Sequence, residues 1–458
     1  MTWRSSSGCF AATREPARSS GSSSGGSWSS RRELVRAPDN GGSRLDLDTL
    51  DLGALVRPGD TVLWGQSVAE PVALTRRLMA QRAAIGGFRC FLGMPASDTC
   101  RPEHTDLVSF VSYIGSGANR ALYDSGRLQI LPVHFSELGR LVASGRLPID
   151  VVMLLVPPPD DAGRFAMGLA DEYLSAAADR ARIVVAEVND HVPRVGGGRV
   201  LEPHEVDYVV ESSRPLLQVT ERPAGEVEQR VAAHVAGLVE DGATLQIGVG
   251  AMPTAALRGL DGHRDLGIHS GMIGDAVADL MEAGVITGAR KSIDRGLTVA
   301  GVLMGSDRLF RYADAQPRIA LRAVSYTHDP QVLAAQHKFV AINSALQVDL
   351  TGQINSEGLD GRYLGAIGGA VDFIRGAARA TGGVPVTVLA STAGEHSRIV
   401  AELSGPVSTA RSDAGLVVTE HGVADLRGLT LSQRHEALLA VAHPDHRDRL
   451  ADSIGSRR

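Results

Sequence analysis

The chain has 458 residues, with 46 basic against 52 acidic side chains and a formal net charge of −6. At 43% hydrophobic and 21% charged residues it has globular composition and enough length for two or three α/β domains. The mild acidity argues against a nucleic-acid partner, and no stretch approaches the roughly 20 apolar residues of a membrane helix. Cys9, Cys90 and Cys100 make neither a disulfide framework nor a CxxC zinc pair. These features predict a soluble, cytoplasmic protein.

Residues 1–44 are a Ser/Gly/Arg-rich tract that includes GSSSGGSWSS. Arg-rich, acid-poor composition is that of a transit peptide, but the tract has no apolar centre, and we read it as a disordered tail or an over-extended start. From residue 45 short apolar runs alternate with amphipathic segments. Strands are predicted at 61–64, 88–92, 128–132, 151–156 and 183–188, with helices at 70–82 and 171–180. A second block opens with a helix at 227–239 and a strand at 244–247. Strands at 266–269, 339–343, 384–389 and 415–419 follow, with helices near 253–260, 275–283, 371–378 and 431–441. Alternating strands and helices imply largely parallel sheets, hence an α/β fold of two domains, 45–220 and 221–458.

The most informative segment is TLQIGVGAMP at 244–253. A strand runs into Gly248-x-Gly250, with Pro253 near the first helical turn, where it costs no hydrogen bond. A helix N-terminus presented this way suits a phosphate or a developing oxyanion. It is not a dinucleotide fingerprint, since GxGxxP stands in place of GxGxxG. In LGIHSGMIGD, 266–275, the strand end places His269, Ser270 and Gly271 at a crevice. Neighbouring strand residues point to opposite faces, so His269 is not expected to activate Ser270. Weaker signals are Asn343, the glycines Gly365, Gly368 and Gly369, and the junction Thr419-Glu420-His421. No metal motif is present, and none is expected.

Together these segments resemble the acetyl-CoA hydrolase/transferase family, which contains acetate, succinate and 4-hydroxybutyrate CoA-transferases. The pieces that carry the resemblance are DGATLQIGVGAMP, DLGIHSGMIGD, VADLMEAGVITGARKS, VAINSALQVDLTGQ, GAIGGAVDFIRGAA, VVTEHGVADLRG and AVAHPDHRDRL, with LPIDVVMLLVPPPDDAGRFAMG and VVAEVNDHVPR in the first half. The resemblance implies two open α/β/α domains of CoA-transferase type, an active site between them and a homodimer. It implies coenzyme A as substrate and product, held by Gln246, Ile247, Gly248, Val249, Gly250, Asn343, Gly365, Gly368 and Gly369. Family transferases attack the acyl-CoA thioester with a glutamate carboxylate.

That glutamate stands in an IHTEM-type motif, and this chain reads Ile268-His269-Ser270-Gly271-Met272. Gly271 therefore occupies the nucleophile's place. Gln347 and Ala370 are further departures, from ALEVDL and GGQVDF patterns. The expectation is an acyl-CoA hydrolase or CoA-transferase acting on a short-chain thioester and a small carboxylate by a non-covalent route. Gln246 and its loop would polarise the thioester, and Asp275 or Glu420 would orient the attacking group. The alternatives are a non-catalytic CoA-binding homologue, or a transferase that recruits another acid such as Glu357.

Overall fold

The structure, a computed structural model, describes residues 42–455. All but the last three residues of the 1–44 tract lie outside the described residues. The first sheet has eight strands: β1 Ser43–Leu45, β2 Thr61–Trp64, β3 Phe88–Leu92, β4 Val108–Ser112, β5 Leu128–Ile130, β6 Val151–Val156, β7 Ile183–Asn189 and β8 Tyr208–Ser212. They lie in the order β1-β8-β7-β6-β2-β3-β4-β5, parallel throughout. β1 begins two residues ahead of the boundary drawn from composition.

The second sheet contains β9 Thr244–Ile247, β10 Gly267–Ile268, β11 Phe339–Ser344, β12 Val384–Val388, β13 Leu416–Thr419 and β14 Gly422–Asp425. Its order is β10-β9-β11-β12-β13-β14, parallel except for the closing hairpin β13–β14. The two sheets share one construction: Thr61 to Gly65 and Thr244 to Gly248 each run a strand into a glycine, with Pro71 or Pro253 at the start of the following helix.

β6 shows why such strands read as continuous apolar runs. All six of its residues are buried, and the pleat sends Val152, Leu154 and Val156 to one face and Val151 and Met153 to the other. The first face joins a core that continues through Leu245, Ile247, Val340 and Ile342 of the second sheet. The other packs against Leu74 and Leu78 of helix α1, Val72–Ile85. β4 and β8, whose sequences are not continuous apolar runs, carry serine at their ends and are partly exposed. The helix expected over 171–180 begins only at Leu174, because Glu172 takes a left-handed backbone with φ of 43°.

The start of α1 is fixed by a buried charge. The Glu187 carboxylate, at the end of β7, accepts from the N–H groups of Ala73 and Leu74, from Ser212 Oγ at 2.9 Å and from Arg214 Nε at 2.8 Å. Its side chain is fully buried, whereas that of Arg214 is 22% exposed. Arg214→Ala should therefore destabilise the fold by about 3 kcal/mol in urea unfolding, as an unpaired interior carboxylate demands.

Candidate functional site at the seam of the two sheets

The loop after β9 is shaped by its neighbours. The Gly248 N–H donates to the Ile342 carbonyl at 2.7 Å, and a Cβ there would stand 3.0 Å from both that carbonyl and Asn343 Oδ1. Gly250 has φ of 121°, a conformation that only glycine adopts without strain, and caps helix α2, Ala251–Arg258. Pro253 is the third residue of this helix, so its missing N–H costs no intrahelical bond. Val249 is half exposed, and neither its N–H nor that of Gly250 donates to any described residue. Below the loop Gln246 and Asn343 form a reciprocal buried amide pair, at 3.1 and 2.9 Å. Gln246, Ile247, Gly248, Val249, Gly250 and Asn343 are thus brought together.

Gly365, Gly368 and Gly369 form a second loop, ahead of helix α3, Ala370–Arg379. It binds backbone of the first sheet's half: Gly115 N–H donates to Gly365 O at 3.1 Å, and Phe135 N–H to Gly368 O at 2.9 Å. Asp372 in the first turn of α3 adds a bond from Ser136 Oγ at 2.8 Å. Further along the same seam, Asp171 N–H meets Gly301 O and Val324 N–H meets Glu172 O, both at 2.9 Å.

Gly271 lies just beyond β10, and its carbonyl accepts from Gly301 and Val302. Ser270 is tied to Ile247, its Oγ donating to the carbonyl at 3.2 Å and accepting from the N–H at 3.3 Å. This bond sets Gly271 beside the Gln246–Gly250 loop. His269 points elsewhere: its ring bonds the Thr327 carbonyl and the Gln336 amide, and it makes no bond with Ser270. Burial, aided by Lys291, pushes its pKa down to about 4. The Ser270/His269 pair is therefore packing, as the strand alternation implies.

The two acids expected to orient a nucleophile are engaged elsewhere. Asp275 accepts the Ser306 N–H through both oxygens, at 3.1 and 3.2 Å. Glu420 follows β13, three strand positions from β9, and accepts from Ser391 N–H and Oγ at 2.9 and 2.6 Å. Burial would raise its pKa, but the Ser391 bonds outweigh that and leave it lowered. Glu357 is held by the hydroxyls of Ser408 and Tyr363. None of the three hydrogen-bonds to Gly271, Gln246 or Asn343.

A polar cluster that the sequence did not single out lies across the seam. Gln66 Oε1 accepts from Tyr113 Oη at 2.5 Å and Met94 N–H at 3.1 Å, which fixes the amide and turns its Nε2 to Glu172 Oε1 at 2.6 Å. Glu172 Oε2 and Tyr173 Oη are buried and without a partner among the described residues. A side chain at Gly301 could not exist here, since its Cβ would meet Gly271 O at 2.8 Å and Glu172 Cγ at 3.1 Å. Burial, reinforced by neighbouring Asp171 and only partly offset by Gln66, raises the Glu172 pKa to about 8. Nothing local in GLADEY signals this, because the partners come from distant loops.

Two open sheets, parallel but for one closing hairpin, meet along glycine-rich loops, and solved structures of similar chains make this an α/β architecture of CoA-transferase type. The sequence matches the acetyl-CoA hydrolase/transferase N-terminal domain over residues 49–221 and the C-terminal domain of the same family over 305–454. It is 36% identical over 402 residues to 4-hydroxybutyrate coenzyme A transferase of Clostridium kluyveri, spanning 86% of this chain and 94% of that protein. It is 34% identical to butyryl-CoA:acetate CoA-transferase of Anaerostipes caccae, spanning 86% and 92%. The crystal structure of RipA from Yersinia pestis superposes with a TM-score of 0.84 at 34% identity, over 89% of this chain and 96% of that one. The chain belongs to the acetyl-CoA hydrolase/transferase family, a family of enzymes. No helix among the described residues is long and apolar enough to cross a membrane.

The raised pKa of Glu172 has a measurable sign. Between pH 4.5 and about 8 the folded chain keeps a proton that the unfolded chain has released, so this residue's contribution to stability falls as pH rises through that window. Glu172→Gln should match the wild type in denaturant melts at pH 4 and exceed it by roughly 2–4 kcal/mol at pH 9.

Proposed function

We propose that the chain is a short-chain acyl-CoA hydrolase or CoA-transferase that cleaves the thioester without a glutamyl intermediate. The observation that carries this reading is glycine at position 271, where the family resemblance places the nucleophilic carboxylate, beside a loop whose Val249 and Gly250 N–H groups are free to hold an oxyanion. With no side chain at 271 the acyl carbon is attacked directly by water or by an acceptor carboxylate. The thioester oxygen lies on the 248–250 loop, Gln246 and Asn343 brace the floor, and the 365–369 loop closes the opposite wall. CoA phosphates are met by backbone N–H groups at the helix starts, since a net charge of −6 offers no general attraction. Acetate-like acyl groups, a homodimer and a cytoplasmic setting complete the reading by family resemblance.

Incubation with acetyl-CoA, with and without acetate, and measurement of free CoA tests it: release or exchange is expected, and CoA binding without turnover would leave only a binding protein. A Cβ at residue 271 would lie 3.1 Å from His328 Cε1, a contact that a relative shift of a few tenths of an ångström relieves. Gly271→Glu should accordingly fold, raise acetate-dependent exchange by about tenfold or more, and permit trapping of a glutamyl-CoA adduct at that residue.

A further inference from the structure

The group that stands over Gly271 is His328, 97 of every 100 parts buried by surface. A Cβ on Gly271 would meet its Cε1 at 3.1 Å and Nε2 at 3.4 Å. A Cβ on Gly369 would meet its Nε2 at 2.5 Å and Cδ2 at 2.9 Å. Both ring edges that flank Nε2 thus face a glycine, and the nitrogen itself is aimed between the two. It makes no hydrogen bond with any described residue, which leaves it open to a ligand or a water.

The ring is held in this attitude. It packs between Phe373, with centroids 4.4 Å apart, and Phe135, at 5.2 Å. Its Nδ1 lies 2.9 Å from Thr327 Oγ1, and that hydroxyl donates to the Ala323 carbonyl at 3.4 Å. With the hydroxyl donating to Ala323, Nδ1–H donates to Thr327 and Nε2 carries the lone pair; this is the tautomer the assignment below uses. The segment is anchored in turn by His269. The Gln336 amide donates to His269 Nδ1 at 3.2 Å, so the His269 Nε2–H donates to Thr327 O, also at 3.2 Å. His269, at the strand end, is thus a support for His328.

We propose that His328 is the general base of an acyl-CoA hydrolysis at Gly271, an assignment that rests on the non-covalent reading above. As a water oxygen bonds the thioester carbon, one water proton passes to His328 Nε2 and the carbonyl electrons move onto oxygen. Collapse of that oxyanion breaks the C–S bond, and the thiolate takes the proton back from Nε2. The products are the free acid and CoA thiol, with the imidazole regenerated and no other reactant consumed. Burial holds the imidazole pKa down to about 3, so the lone pair is unprotonated at the start of each cycle. A base this weak places its contribution at the lower end of the roughly 10²–10⁴-fold range of general-base catalysis.

The test is His328→Phe, which keeps an aromatic ring between Phe135 and Phe373 and removes Nε2. With acetyl-CoA as substrate and thiol release as the readout, kcat for hydrolysis should fall about 100-fold. KM, CoA affinity and melting temperature should stay near wild type. Undiminished hydrolysis in the folded variant overturns the assignment and leaves the non-covalent reading intact. If the variant does not fold, His328→Ala with added imidazole replaces it: restored hydrolysis supports the base, and no restoration overturns it. A wild-type chain that transfers CoA to acetate but does not hydrolyse also overturns the base, while a wild type inert in both assays removes the parent reading itself.

Discussion

The constraint on which the rest of the site depends is backbone hydrogen bonding across the seam. Gly115 and Phe135 bond the 365–369 loop, Asp171 bonds Gly301, and Val324 bonds Glu172. Such bonds need the two main chains within about 3 Å, which excludes side chains between them. The glycines on the seam follow from that approach. They also set the chemistry, because the groups placed there are N–H donors and a few side chains reaching over the glycines.

These side chains are of two kinds. Gln66, Tyr113 and Glu172 form a buried network whose bonds are fixed but whose outer atom, Glu172 Oε2, is left over. Glu172 also holds a left-handed backbone, a conformation that costs about 1–3 kcal/mol in a non-glycine residue and persists only where the surroundings enforce it. His328 is of the second kind, fixed by stacking and by one hydroxyl, with a nitrogen that faces Gly271.

Strands buried on both faces were legible as apolar runs: 61–64, 88–92, 151–156 and 244–247 coincide with strands. Val108–Ser112 and Tyr208–Ser212 were not, since partial exposure mixes serine and glutamate into their patterns. The Gln246–Gly250 turn was readable because strand, glycines and proline are contiguous. Glu172 and His328 were not, as their meaning comes from partners 106 residues away in one case and from glycines 57 and 41 residues away in the other. Helix periodicity also hid Glu172, because a left-handed residue leaves no mark in hydropathy.

Main-chain bonds across the seam have a consequence for descent. Mutation replaces side chains but leaves N–H and C=O groups in place, so the relation between the two halves is inherited almost independently of which residues line it. A lineage can then change the side chains at 271 or 328 without first rebuilding the frame that joins the two sheets. The frame is conservative and the chemistry upon it is exchangeable, which is how one architecture can accommodate successive reactions at a single address.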